Sequence, residues 1–233
     1  MAEVLALIGA RSGSTGLKDK NIRKVCGIPL LGHAVLNAKA AHSVHRIVVS
    51  TDSEIYAAIA REYGAETPFI RPCEYAGNIA SAESFLQHAV QWLRDHQSYR
   101  PDIVVYLQCT DLFRKPEWID ICVAKLIADP SLESAFVAYP THKNYWRKTP
   151  TGYERLTSAE YQPRQERQPL FREDTGLGCA SRTHIVESGR RLGDKVWILE
   201  NHDEASGIDI HDEEDLWLAE TVMLRRRAAQ VRL

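Results

Sequence analysis

Val4-Leu5-Ala6-Leu7-Ile8-Gly9-Ala10-Arg11-Ser12-Gly13-Ser14-Thr15-Gly16-Leu17-Lys18-Asp19-Lys20-Asn21 is the stretch on which the fold reading turns. A short, β-rich apolar run breaks off into a loop of small residues that carries Arg11, Lys18 and Lys20. Such a run, bounded by glycine, predicts a buried strand. Gly, Ser and Thr let backbone N–H groups approach an anion closely, and the basic side chains add charge. In an open α/β sheet, ligands sit at the carboxyl ends of strands, which is where this loop falls. The stretch therefore predicts a phosphate-binding loop, with Arg11 and Lys20 as the phosphate-binding cations. Two familiar forms fail on spacing. No glycine here is followed by Lys and then Ser or Thr, as a P-loop requires. Glycines at 9, 13 and 16 do not make G-x-G-x-x-G. Composition alone leaves an ordinary glycine-rich turn as the alternative.

Outward from this loop, strand and helix patterns alternate. Arg46-Ile47-Val48-Val49-Ser50 and Ile103-Val104-Val105-Tyr106-Leu107 read as strands, and 134–138, 178–181 and 196–199 as further ones. Helical spacing predicts helices at about 30–41, 53–63 and 81–95, another from Pro116, and a last one from Asp212 to about 229. The stripe Phe85, Leu86, Ala89, Val90 and Leu93 belongs to the core. This alternation predicts an α/β fold of three layers, a mostly parallel sheet with helices on both faces. Residues from about 139 to 175 break the pattern, rich in Pro, Arg, Gln and aromatics. They predict a long irregular insert with a functional or interfacial role.

The chain of 233 residues fits a single domain with ample core. Its 29 Lys and Arg against 31 Asp and Glu give a net charge of −2, which argues against nucleic acid as a partner. The five cysteines are widely spaced and lack a C-x-x-C pair. That argues against a disulfide framework or thiolate zinc site and fits a reducing cytosol. No long apolar run, signal peptide or lipidation motif is visible. A soluble cytoplasmic protein with no membrane partner is the expectation.

The loop's order, Ala-Arg-x-Gly-Ser-x-Gly-Leu-x-x-Lys-Asn, closely resembles the signature of the acylneuraminate cytidylyltransferases, which make CMP-sialic acids. The family has Lys where Thr15 stands and Pro where Lys18 stands, and Lys18 would restore a cation. Arg71-Pro72-Cys73-Glu74-Tyr75-Ala76-Gly77-Asn78-Ile79-Ala80-Ser81 resembles the family's cytosine-recognising R-P-x-E-L-A-x-D-T-A-S. Leu107-Gln108-Cys109-Thr110-Asp111-Leu112-Phe113-Arg114 resembles L-Q-P-T-S-P-L-R, without its prolines and serine. Gln162-Pro163-Arg164-Gln165 matches Q-P-R-Q. Phe171-Arg172-Glu173-Asp174-Thr175-Gly176 stands for F-R-P-N-G, one residue longer. Ile208-Asp209-Ile210-His211 stands for the metal-holding I-D-I-D.

The resemblance implies a nucleotide-diphosphosugar-transferase-like fold and a homodimer whose inserts, about 139–175, pack beside the neighbouring active site. It implies transfer of CMP from CTP to the anomeric hydroxyl of a 2-keto sugar acid of the sialic type, with release of pyrophosphate. The same chemistry on a 3-deoxy-octulosonate, deaminated sialic, pseudaminic or legionaminic acid is the alternative, as is a degenerate CTP-binding module. Arg11, Lys20 and Asp209 become the expected catalytic residues. Ala10, Arg11, Gly13, Ser14, Lys20, Asn21, Arg71, Ala80 and Ser81 become the expected nucleotide contacts. Gln108, Arg147, Arg164, Asp174 and Thr175 are assigned to the acceptor, since Arg pairs bidentately with a carboxylate. Asp209, with His211 and Asp111, is assigned to Mg2+. Asp111 reaches the metal or caps the following turn. His211 stands behind the metal ligands, tilts the site towards Mn2+, or has a structural place before the last helix.

Overall fold

β1 (Val4–Gly9) is the strand that the opening residues predict, and its alternation sets the layers. Val4, Ala6 and Ile8 enter one core, and Leu5 and Leu7 enter the other. The computed structural model describes residues 2–77, 80–157 and 162–230. After β1 come β2 (Lys24–Val25), β3 (Ile28–Pro29), α1 (Leu30–Ala40), β4 (Arg46–Ser50), α2 (Glu54–Glu62), α3 (Ala82–Gln97), β5 (Ile103–Gln108) and α4 (Pro116–Ala128). The second half holds β6 (Ser134–Thr141), β7 (Trp146–Thr149), β8 (Gly152–Arg155), β9 (Leu170–Glu173), β10 (Cys179–Arg182), α5 (Thr183–Glu187), β11 (Val196–Glu200) and α6 (Glu213–Gln230).

The main sheet runs β11-β6-β10-β5-β1-β4, and β9 pairs with the end of β6. β4, β1, β5, β6 and β11 share one direction, while β10 and β9 run against it. Residues from α1, α2, α4 and α6 pack on the Val4–Ala6–Ile8 face, and α3 and α5 cover the other. The mostly parallel three-layer expectation therefore holds. The carboxyl ends of β1, β4 and β5 lie side by side in register, Gly9 beside Ser50 and Gln108. The loops that follow β1 and β5, which carry much of the site, leave from this edge.

The helix signals work as the sequence implies. Ser53 Oγ accepts from the Tyr56 amide to cap α2, and Ser81 Oγ accepts from the Ser84 amide to cap α3. Gly64, at φ +100°, takes the left-handed turn after α2. Pro116 stands in the first turn of α4. α6 opens with a reciprocal box: Asp212 accepts from the Glu214 and Asp215 amides, and Asp215 accepts from those of His211 and Asp212.

The insert departs from expectation. Instead of running irregularly, it forms the β7–β8 hairpin and then returns as β9 to extend the sheet from Ala138 to Thr141. Alternating strands this short carry too little apolar signal to be read from sequence. Their pairing partners supply the missing order. Residues 158–161 of the insert lie outside the described residues.

Candidate functional site

The loop after β1 is fixed at several points before any ligand is considered. Asp52, just past β4, accepts from both the Ser12 amide and the Ser12 hydroxyl at 2.8 Å. Asn21 Nδ2 donates to the Arg11 carbonyl at 2.9 Å, and Tyr56 on α2 donates to Asp19 at 3.2 Å. Asp19 itself sits at φ +54°, a left-handed conformation that Asp tolerates. The loop's far side meets the chain's C-terminal third. Lys20 Nζ donates to the Ile210 carbonyl at 2.8 Å. A Cβ at Gly16 would stand 2.8 Å from the His211 carbonyl oxygen, so this approach requires glycine.

Above the loop lies a cavity of about 470 Å3. Arg11, Lys20 and Arg71 line it, and no carboxylate does so among the described residues. Arg11 reaches across its mouth to the Gly77 carbonyl at 2.8 Å. Arg11 and Lys20 thus both rest on neutral carbonyls, weaker acceptors than a phosphate oxygen. Arg71 is more firmly held: it donates to Ser50 through Nε at 2.9 Å and to the Ser50 carbonyl, and lies over the Phe85 ring. Burial pulls its pKa down to about 10, so it stays cationic at neutral pH. The capped start of α3 also faces the cavity through Ala80, Ser81 and Ala82, adding the positive end of a helix dipole. The floor is Phe85 and Tyr106. Gly9 admits Phe85, since a Cβ there would stand 2.6 Å from the ring.

A second cavity, of about 270 Å3, shares Gln108 with the first. Its lining has the opposite charge: Asp111, Glu173, Asp174 and Asp209, with Arg172 as the one cation among the described residues. Arg114 builds this side. Fully buried, its guanidinium donates to the carbonyls of Gln108, Gly176 and Leu177 and so clamps the loop after β5 against that after β9. Gly176 then lies so close to Asp111 and Gln108 that no Cβ fits there. Arg172 grips Asp174 with two bonds, at 2.7 and 2.9 Å. Burial pushes the Asp111 carboxyl up to about 7; Arg114 and Arg172 oppose the rise, and the charges of Asp209 and Asp174 add to it. Asp209 Oδ1 is buried without a hydrogen-bond partner among the described residues, and His211 Nε2 lies 3.3 Å from its other oxygen.

A family model described as cytidylyltransferase matches residues 5–186, more than half of the sequence. The chain belongs to the cytidylyltransferase family. An N-acylneuraminate cytidylyltransferase of Escherichia coli O18:K1:H7 is 38% identical over 112 residues, 48% of this chain and 25% of the relative. A CMP-N,N'-diacetyllegionaminic acid synthase of Legionella pneumophila is 39% identical over 119 residues, 50% of each chain. The chain thus spans half or less of the length of these curated relatives. A CMP:2-keto-3-deoxy-manno-octonic acid synthetase solved with CTP superposes with a TM-score of 0.72 over 97% of this chain and 100% of the other. At 14% identity that likeness shows the shared fold.

Arg11, Ser14, Lys20, Asn21, Arg71, Ala80 and Ser81 come together around the first cavity. Ala10 and Gly13 do not line it. Ala10 is buried in the core with its N–H donated to the Ser50 carbonyl, and Gly13 faces open space. Lys18 is exposed and does not line the cavity, so it does not replace the family's missing cation. Asn78 and Ile79, in the cytosine-recognising segment, lie outside the described residues. Gln108, Asp174 and Thr175 line the second cavity with Asp111 and Asp209. His211 lines the first instead. No three His, Cys, Asp or Glu side chains among the described residues converge as a metal cage, so the expected trio is not assembled. Arg147 and Arg164 line neither cavity. Arg147 is exposed on β7 and paired across the hairpin with Glu154, and Arg164 is exposed on a short 3₁₀ turn.

Sequence reasoning missed Gly16, Tyr75, Phe85, Arg172 and Gly176. The glycines carried a readable signal, each flanked by site residues. Arg172 lies within the 171–176 motif, but its grip on Asp174 leaves no mark in the sequence. Cys109, where the family has proline, borders the first cavity, but burial pushes its thiol up to about 12 and so makes it a poor nucleophile.

Proposed function

We propose that this cytidylyltransferase moves CMP from CTP to the anomeric hydroxyl of a 2-keto sugar acid and releases pyrophosphate. The carrying observation is the pair of cavities of opposite charge that meet at Gln108. The triphosphate takes the cationic cavity, with Arg11 and Lys20 exchanging carbonyl partners for phosphate oxygens. Arg71, Ala80 and Ser81 take the base edge. Nucleotidyl transfer asks little covalent help of a protein; it needs position and charge compensation at phosphorus. The acceptor hydroxyl approaches from the Gln108 side, its oxygen's bond to the α-phosphorus forming as that to the β-phosphate oxygen breaks, with pyrophosphate leaving and the hydroxyl proton passing to solvent. Arg11 and Lys20 offset the charge that develops.

An acid would be repelled by a cavity bearing four carboxylates, so further cations belong there. The donor set fits Mg2+. Asp209 offers a buried, unpartnered oxygen, and Asp111 a second carboxylate close enough to feel its charge. Asp209 and Asp111 would hold the ion, and His211 would orient Asp209. Bound there, the ion would offset the carboxylates' charge beside the acceptor acid and make the attacking hydroxyl easier to deprotonate. Arg147 and Arg164 supply cations of the second kind if another copy lays its insert over this cavity. The hairpin supports that arrangement, since Trp146, Tyr153, Tyr145 and Leu156 are all exposed on or beside it. We therefore infer a homodimer. The five cysteines are all free thiols, which suits the cytoplasm. No helix among the described residues is long and apolar enough to cross a membrane.

Pyrophosphate release from CTP and Mg2+, measured against a panel of 2-keto sugar acids, tests the reading. Release with one acid names the acceptor. Silence across the panel with CTP still bound favours a CTP-binding module instead.

A further inference from the structure

Tyr75 closes the 3₁₀ turn Cys73–Tyr75 and lines the cationic cavity together with Arg71 and Ala80. The segment it belongs to resembles the family's cytosine-recognising motif, which carries leucine at this place. The ring here is held rather than loose. Its amide donates to the Pro72 carbonyl at 3.0 Å, and its carbonyl lies 3.5 Å from Arg71 Nη1. Its ring packs on His88 of α3, with centroids 4.8 Å apart and planes tilted by 34°. His88 is in turn braced edge-on by Phe69 at 5.0 Å, and Phe69 by Trp92 at 5.0 Å. His88 Nδ1 is buried without a hydrogen-bond partner among the described residues, so the imidazole acts here as a packing surface. An aromatic column thus stands behind Tyr75, and the cavity stands in front.

A rigid aromatic wall beside a base-edge reader and a cationic loop has an evident use. Every nucleobase has a π-face, and stacking adds affinity at little entropic cost when the platform is already fixed. We propose that Tyr75 is the face on which the pyrimidine base of the nucleotide stacks. This assignment rests on reading the cavity as the CTP site. Tyr75 supplies affinity, while Arg71, Ala80 and Ser81 distinguish the base by its edge.

The test is calorimetric binding of CTP and of inorganic tripolyphosphate, with Mg2+, to the unaltered chain, Tyr75→Leu and Tyr75→Phe. Tyr75→Leu should weaken CTP by about five- to a hundredfold and leave tripolyphosphate unchanged. Tyr75→Phe, which keeps the ring, should bind CTP within about twofold of the unaltered chain. CTP binding that survives Tyr75→Leu overturns the assignment alone. Equal loss of both ligands in Tyr75→Leu also overturns it, because the residue would then be supporting the loop and not the base. If the unaltered chain binds tripolyphosphate but not CTP, the nucleotide reading falls and this one with it.

Discussion

The two cavities that share Gln108 are built on different principles. The first is lined mainly by continuous motifs, within residues 9–21, 71–75, 80–85 and 106–110, each leaving a parallel strand or entering a helix, with His211 closing one side. Its cations rest on backbone carbonyls, and its glycines make room for Phe85 and the His211 carbonyl. The second is assembled from three distant segments around 108–111, 172–176 and 206–209, held by the buried Arg114. Its charges face one another. The first can accept an anion as it stands, whereas the second needs cations from outside its own lining. A site for a common nucleotide can thus be written into local motifs, while a site for a particular acid depends on how remote pieces meet.

The sharpest way to break this contrast is to remove one charge from the first cavity. Lys20→Ala should lower turnover in the pyrophosphate assay by about a hundred- to a thousandfold, the range for losing one transition-state donor. The melting temperature should move by a few degrees at most, because the group lost is one partly exposed hydrogen bond to Ile210. Collapse of both together would mean that Lys20 is a structural tie.

A steric change in the second cavity should separate the halves. Gly176→Ala forces Asp111 and Gln108 aside, since a Cβ there overlaps the Asp111 carboxylate. The specificity constant for the acceptor should fall by about tenfold to a hundredfold, the scale of a misplacement of about 1 Å. CTP affinity measured by calorimetry should stay within a few-fold. Matching losses for the two substrates would show that the cavities are not independent.

The smallest effect concerns acid. Burial holds the pKa of both His33 and His88 below the ordinary histidine value, and His88 is the brace behind Tyr75. The unfolded chain therefore takes up protons that the folded chain resists. Their contribution to stability is complete above about pH 6.5 and declines as pH falls below it. Urea midpoints should drop between pH 7 and pH 5, and less so in His33→Gln. A flat profile would place both histidines in solvent.

Much of the fold was legible because its signals are local. The alternation in β1, the caps Ser53 and Ser81, and Pro116 each act within a few residues. β9 was not, and neither was the reversed direction of β10, whose strand at 178–181 was legible, because both directions follow from partners on β5 and β6. The same division runs through the site. Arg11, Lys20, Asn21 and Arg71 could be picked from their motifs. Arg114 reads as one more cation, and only its burial among three carbonyls reveals a clamp. Ala10 shows the converse: it sits in the motif, yet its side chain lies in the core and the sheet has already claimed its N–H.

The bond from Lys20 to the Ile210 carbonyl spans 190 positions, and Gly16 meets His211 beside it. During synthesis the glycine-rich loop is made 190 positions before the wall against which it closes. The cationic cavity therefore cannot mature as its own strand folds; it waits for the chain to return.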